Sequence, residues 1–581
     1  MASTYTGQAA GGLTKQSYNS FRGVDFTDDN VNESRSPDSL NMWKDYKSLG
    51  KRIETRPDLE LQLSLSNTIF GLFFYTVNTT KHYIIHSGTG LYDYNTKTKE
   101  LKTLKEEGMN PSESNAFIYN NIFFIMDGIN YLEYNGETLK DVEGTIPTIA
   151  IHNMNKGETK TIQEANLLTD YCYEEYLPNG ETTEFKLSQE EVTDVKVYSI
   201  NGLEEKEITE GITIDNGGGT ITFATAPEKS ASKASIKVKY AKLSDGASVI
   251  RKCKLNCVFD KRVFFSGNQD YPNMVVWSGL SDPRYIGTSS YVTQGSGTSL
   301  IKAMVPGNNA LWVFKEPSQE NTAIFYNMPL EIYDEKIEDT VKTYSSVHSS
   351  ISTGCKATGI NFNDDIVFFS ERGMEGISGD ITTEQVLGHR STLVDRKLLN
   401  ETNYKDMVLA EWEGYLLVII DNRVYLADSN QKVNNNDHME YEWFYWEFDK
   451  NIKSASVDEG ILFIGTEDGG IYTLTNRNED REVKSYWTTK SDDCNYPHML
   501  KTTNKRGFKS DVSGSDISIE VKTDNNNFEM LGTYKNVKGY IVAKIKRKKW
   551  NRIQLRFGSN KPFGIYGVTL ETYIGSYVKR S

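Results

Sequence analysis

At 581 residues the chain is too long for one compact core, so several domains or one large repetitive architecture are expected. Its 38% hydrophobic and 12% aromatic residues suffice for packed cores, and the 34 Tyr and 25 Phe favour pleated, half-buried surfaces, which predicts a β-rich fold. A net charge of −14 argues against tight, non-specific wrapping of nucleic acid, yet leaves room for a channel through which DNA slides without sticking.

The longest apolar runs, such as Ile122 to Met126, are strand length and far short of a membrane span. The start, Met1-Ala2-Ser3-Thr4, lacks a basic region followed by an apolar one, so no secretory signal is expected and assembly in a cytoplasm is. The five cysteines, Cys172, Cys253, Cys257, Cys355 and Cys494, are scattered and odd in number, which predicts reduced thiols rather than a disulfide framework.

Residues 1–60 are rich in Ser, Asn, Asp and Gly with little periodicity, and read as an extended arm of the kind that orders on a partner. Over 61–145 a repeating unit begins. A polar turn leads into four or five apolar residues, then a second turn precedes a strand that often carries Tyr. A loose copy runs from Phe70 through Tyr83-Ile84-Ile85 to Tyr92, and a clear one pairs Ile122 to Ile125 with Tyr131 to Tyr134. Residues 146–245 differ. Glu184 to Leu187, Val195 to Tyr198, Thr220 to Phe223 and Ile236 to Tyr240 alternate apolar and polar, with turns at Asn201-Gly202 and Asn216 to Gly219, which predicts a small inserted β-sandwich.

The repeat resumes over 246–480, at Val263-Phe264-Phe265, Leu311 to Phe314, Ile366 to Phe369, Tyr415 to Ile419 and Ile461 to Ile464. Continuous apolar runs between polar turns read as strands buried on both faces. A period of roughly 40–55 residues is that of propeller blades. A sheet of about four strands covers its faces only by stacking radially on its neighbours. The expectation is an all-β chain with a six- or seven-bladed β-propeller, the inserted sandwich, and a C-terminal sandwich over 481–581 built from Ile517 to Lys522, Tyr540 to Ile545, Arg552 to Phe557 and Val568 to Tyr573.

No catalytic, metal or cofactor site is nominated. His82 and His86 flank a strand segment, where residues four apart lie more than about 10 Å from each other, too far for one zinc. Cys253 and Cys257 lack the zinc-knuckle spacing and a second pair. Gly295 to Lys302 is glycine-rich but has no Gly-Lys-Ser/Thr ending, and Asp524 to Glu529 lacks the glycine of a calcium loop. Paired carboxylates cannot be picked out among 79 acidic residues. One charge feature stands apart: Lys544, Lys546, Arg547, Lys548, Lys549, Arg552 and Arg556 crowd a C-terminal stretch whose last forty residues hold ten Lys and Arg against one acid, Glu571. They read either as a lysine-protected strand edge or as a basic surface for an acidic neighbouring subunit or DNA, the subunit being favoured because no aromatics interleave with the charges.

Phe21-Arg22-Gly23-Val24-Asp25, Ser36-Pro37-Asp38-Ser39-Leu40-Asn41-Met42, Gly50-Lys51-Arg52 and Arg56-Pro57 resemble the start of phage propeller proteins of the tail nozzle or packaged-DNA stabilisation type. The run from Phe259 through Asn268 to Trp277 and on to Asp282-Pro283-Arg284-Tyr285 is similar to their mid-chain. The inserted module also looks like one of phage structural proteins, at Thr183-Glu184-Phe185, Asn201-Gly202, Thr220 to Phe223 and Ala226-Pro227. The resemblance implies a non-enzymatic virion protein of the tail or neck, assembled in the bacterial host cytoplasm. It would form a homo-hexameric ring below the portal and adaptor, extend the DNA channel, retain the packaged genome without sequence-specific contacts, and dock fibres or other tail proteins. The rival expectation is a tail-tip propeller that binds or depolymerises host glycan.

Overall fold

The structure is a computed structural model that describes residues 12–47, 53–202, 204–230, 232–318, 323–334, 339–349, 351–378, 386–435, 438–475, 482–545 and 549–577. The chain is nearly all-β. Among the described residues only the short helices Gly246–Arg251 and Asp395–Leu398 and a 3-10 turn at Tyr404–Asp406 interrupt the strands. The chain divides into two compact units, one from the described parts of 1–72, 365–378 and 386–581, the other from those of 73–364.

Both units are built on one repeated plan, a four-stranded antiparallel sheet. In the second unit Asn115–Tyr119, Ile122–Met126, Tyr131–Tyr134 and Leu139–Asp141 form such a sheet in chain order. Leu255–Phe259, Arg262–Ser266, Met274–Trp277 and Tyr291–Thr293 form another, and Ile301–Gly307, Ala310–Lys315, Ile324–Asp334 and Asp339–His348 a third. In the first unit Val408–Trp412, Tyr415–Ile420, Arg423–Asn435 and His438–Glu447 repeat the order as one end of a thirteen-stranded sheet that continues through Met42–Trp43. The next copy takes three strands, Ile452–Asp458, Ile461–Thr466 and Gly470–Thr475, and completes itself with Asp58–Ser64 from the other end of the chain, Thr473 facing Glu60.

Local chemistry sets the plan. The first and second strands of successive sheets join through two residues that both adopt positive φ: Asn120-Asn121, Asp260-Lys261, Asn308-Asn309, Glu413-Gly414 and Glu459-Gly460. Such left-handed turns match the twist of paired strands, and Asn, Asp and Gly adopt them at least cost. The second strands carry the apolar runs and are buried beyond their first residue, and wholly so in Ala310–Lys315 and Tyr415–Ile420.

Residues 146–245 hold a six-stranded sheet, ordered Glu158–Thr161, Thr148–Asn153, Tyr171–Leu177, Ile236–Ala241, Thr193–Asn201, Glu204–Ile208, and a three-stranded one of Glu184–Lys186, Thr220–Phe223 and Ile212–Asp215. They share a core of Tyr176, Phe185, Val197, Ile221, Phe223, Val238 and Tyr240. At the C-terminus Met499–Gly514 lies between Phe563–Tyr577 and Val537–Ala543, while Ile517–Thr523, Glu529–Tyr534, Ile553–Ser559 and Ser485–Thr488 make a second sheet. Phe508 of one and Phe557 of the other meet with ring centroids 6.0 Å apart.

The described part of residues 1–60 departs from the expected extended arm. Leu13–Tyr18 pairs with Phe563–Tyr577, Gly23–Val24 with Arg35–Ser36 and Trp443, Ser39–Leu40 with Ser485–Thr488, and Ile53–Thr55 bridges Met42–Trp43 and Phe563–Tyr577. Tyr18, Phe21, Val24, Phe26, Met42, Trp43 and Ile53 are buried in the chain's own core. Most of these strands are two or three residues long, too short to show a period of two, which is why the segment reads as irregular.

Candidate interaction surface

Val537–Ala543 is hydrogen-bonded along one side to Met499–Gly514, with Lys509 facing Val542, Asp511 facing Tyr540 and Ser513 facing Lys538; among the described residues no strand pairs with its other side. Alternation along the strand sends Ile541 and Ala543 into the core, followed by Ile545, and leaves Lys538, Tyr540, Val542 and Lys544 in solvent. Tyr540 is 80% exposed and Val542 49%. Lys509 stands on the same face and reaches the Glu571 carboxylate at 3.2 Å, a hydrogen bond that holds Glu571 below the usual carboxylate range.

Of the seven cations singled out by sequence, Lys544 and Lys549 are exposed along this edge, while Arg552 is exposed beside Asp524 at the end of the other sheet. Lys549 opens the short strand Lys549–Trp550 that pairs with Lys501 and Thr502, so the same rim of Met499–Gly514 carries it. Lys546, Arg547 and Lys548 lie outside the described residues. Arg556 does not belong to the surface. It is half-buried, its guanidinium bonded to Asp38 at 2.6 Å and to Thr488 at 3.1 Å, and stacked over the rings of Phe528 and Tyr486 at 4.1 and 4.8 Å. Counting charge along the sequence could not separate it, because Arg556 lies on Ile553–Ser559, a strand of the other sheet.

The opposite sign gathers elsewhere. Residues 146–245 hold seventeen Asp and Glu against ten Lys, although they are about a sixth of the chain. The six-stranded sheet there ends in Glu204–Ile208, whose Glu204, Glu205, Lys206 and Glu207 are all exposed; Glu205 also meets Lys237 at 2.7 Å.

The other sequence candidates are held by their own surroundings. His82 Nδ1 lies 2.7 Å from Asp93 Oδ1, and His86 Nδ1 lies 3.0 Å from Ser114 Oγ, with burial lowering the His86 pKa. Cys253 and Cys257 have thiols pushed up to about 12 by burial. The glycine-rich loop is gripped from below by the buried Lys315, whose Nζ donates to the carbonyls of Gln294 and Ser296 at 2.8 and 2.7 Å. Asp524 Oδ1 accepts the backbone N–H groups of Asn551 and Arg552. Among the described residues no three His, Cys, Asp or Glu side chains are grouped so as to hold a metal ion.

Sequence reasoning passed over the buried carboxylates, of which Glu442, Asp365 and Glu174 are examples. Glu442 takes a two-pronged contact from Arg35 at 2.9 Å each; Asp365 is clasped by Arg390 at 2.8 and 3.1 Å and by the Tyr441 hydroxyl at 2.8 Å; Glu174 anchors the inserted module. Each is surrounded by donors of its own chain, so each stabilises structure.

No family model matches the chain, and no curated protein does. Among solved structures it is similar to BamB from Moraxella catarrhalis, at 10% identity over 72% of this chain and 97% of that one, with a TM-score of 0.31. It is also similar to YCF48 bound to a D1 peptide, at 7% identity over 73% and 96% with a TM-score of 0.34, and to the computationally designed Ika8 protein, at 12% over 71% and 98% with 0.31. Likenesses of this strength carry no argument about what the chain binds or does.

Proposed function

We propose that the chain is a structural ring subunit of a phage tail or neck, of the nozzle or DNA-stabilisation type, whose repeated four-stranded sheets are the blades of a six- or seven-bladed β-propeller. In this reading the modules at 146–245 and 481–581 are sandwiches added to the blades, and the ring extends the DNA channel, retains the packaged genome and docks other tail proteins. The observation that carries it is the uncovered strand Val537–Ala543, which offers Tyr540 between Lys538 and Lys544 on a sheet anchored to the repeats through Ile53–Thr55. An edge of this kind on a rigid scaffold suits assembly. The sequence landmarks of the resemblance add support.

The test is negative-stain imaging of the assembled phage with the protein labelled. Label at the neck is the expected result; label only at fibre tips defeats the reading. The glycan-binding alternative has one place to act, a cleft of about 300 Å3 whose lining includes Asp45, Lys47, Glu413 and Glu459, but Trp43 and Trp412 beneath it are buried and stacked on each other. Release of oligosaccharide from host capsule or wall polysaccharide by the purified protein would move the assignment there.

A further inference from the structure

We propose that the strand Val537–Ala543 of one copy docks on the acidic inserted module, residues 146–245, of a second copy of this chain. The proposal rests on the ring reading and names the surfaces that would join its subunits. Three observations lead to it. The strand leaves one row of backbone N–H and C=O groups unpaired among the described residues, and such a row invites another strand. Its outward side chains set an aromatic and an aliphatic group, Tyr540 and Val542, between Lys538 and Lys544, the pattern of an anchor within a charged rim. The chain's charge is divided between modules, with ten cations against one acid in the last forty residues and seventeen acids against ten cations in 146–245.

The sign of the charge decides between partners. Two copies of the basic edge facing each other across a two-fold axis would set Lys538 and Lys544 against the same lysines, a like-charge contact that costs rather than gains. Among the described residues the acidic module ends in its own unpaired strand, Glu204–Ile208, whose exposed Glu205 and Glu207 share one face and complement the lysines. Every copy carries both surfaces, so the contact is head-to-tail, and such contacts close into rings when the rotation per subunit allows. Because it joins opposite charges at an exposed rim, the contact weakens as salt rises.

The test measures the mass of the full-length chain in solution at low and high salt, for wild type, Y540E/K544E, E205K/E207K and the two pairs combined in one chain, with circular dichroism confirming that each folds. Wild type is expected to assemble at low salt. Each paired substitution should weaken assembly by about tenfold or more, the size expected from setting like charges across the contact, and the combined variant, which restores opposite charges without the Tyr540 anchor, should recover part of the loss. Wild-type rings that persist unchanged in both paired variants would overturn this contact while leaving the ring reading intact. A wild type that stays monomeric at every concentration would overturn both. Loss of duplex-DNA retention in Y540E/K544E with assembly unchanged would assign the edge to nucleic acid and overturn the proposal.

Discussion

The guanidinium of Arg56 lies 4.0 Å from the centroid of the Phe448 ring, and from that position it ties three stretches of chain together. Its Nε donates to Asn41 Oδ1 at 2.9 Å, and its terminal nitrogens donate to the carbonyls of Pro57 and Glu447 at 2.9 and 3.1 Å. The same Asn41 oxygen accepts the Glu447 N–H at 2.8 Å, while the Asn41 amide donates to Lys484. Burial lowers the Arg56 pKa to about 10 against the charges of Asp58 and Asp449, which favour the cation, and the Phe448 ring stacks on it. R56K keeps the charge but loses the fork and the flat stack, and R56A leaves buried carbonyls without donors. We expect R56A to cost about 2–4 kcal/mol and R56K more than half of that, read as a shift in the denaturant midpoint. Midpoints equal to wild type would show that the latch is idle.

His389 supplies a pH dependence with a defined sign. Burial opposes its charge, yet hydrogen bonds to Asp395 at 2.6 Å and to Glu375 outweigh burial and raise the pKa to about 9. Glu375 also meets Arg372 at 3.0 Å, so the imidazolium shares its carboxylates with one other cation. A folded-state pKa above the unfolded value of about 6.5 means that the stabilisation is complete below that pH and is lost as pH rises through about 9. The stability difference between wild type and H389Q should therefore be largest near pH 6 and shrink toward pH 9.5, followed by urea midpoints at several pH values. A difference that is flat across that range would remove the histidine from the account.

Much of the fold was legible because burial on both faces writes itself as a continuous apolar run. Ala310–Lys315 and Tyr415–Ile420 are such runs, and the polar pairs before them mark the turns. The first sixty residues were opaque for the opposite reason: Gly23–Val24 or Ser39–Leu40 gain their partners from residues hundreds of positions away, and no local pattern encodes that. The interaction surface was half legible. Charge counting located Lys544 and Lys549, but Tyr540 and Val542 became candidates only once strand alternation had separated them from the buried Ile541 and Ala543. Arg556 shows the limit of the count, since its charge is spent on Asp38.

Glu174 was readable in principle. In Tyr171–Leu177 the residues Cys172, Glu174 and Tyr176 share the buried face, so a carboxylate occupies a position that alternation assigns to the core. It accepts from the Tyr240 hydroxyl at 2.7 Å, the Tyr176 hydroxyl at 3.1 Å, the Ser188 N–H at 3.0 Å and His152 Nε2 at 2.7 Å. Removing the carboxylate strands several buried donors at once, whereas Y240F removes one. E174A is expected to destabilise by about 3–5 kcal/mol and Y240F by about 1–2. Limited proteolysis should cut E174A first within residues 146–245. Equal resistance in E174A and wild type would show that the module does not depend on this hub.

The turn at Asn78-Thr79 offers a stabilising change. Both residues have positive φ, 44° and 75°, and Thr79 is β-branched, the residue class that tolerates this backbone region least. The equivalent second position is glycine in Glu413-Gly414 and Glu459-Gly460, where φ is 80° in both. Thr79→Gly relieves the strain at the cost of greater freedom in the unfolded chain, and the first effect is the larger at a left-handed position. A gain of about 1 kcal/mol follows, measurable as a rise in melting temperature with the same unfolding slope. Thr79→Ala, which keeps the Cβ but loses the branch, should fall between the two; a glycine variant less stable than the alanine one would show that the threonine side chain, and not its backbone, governs this turn.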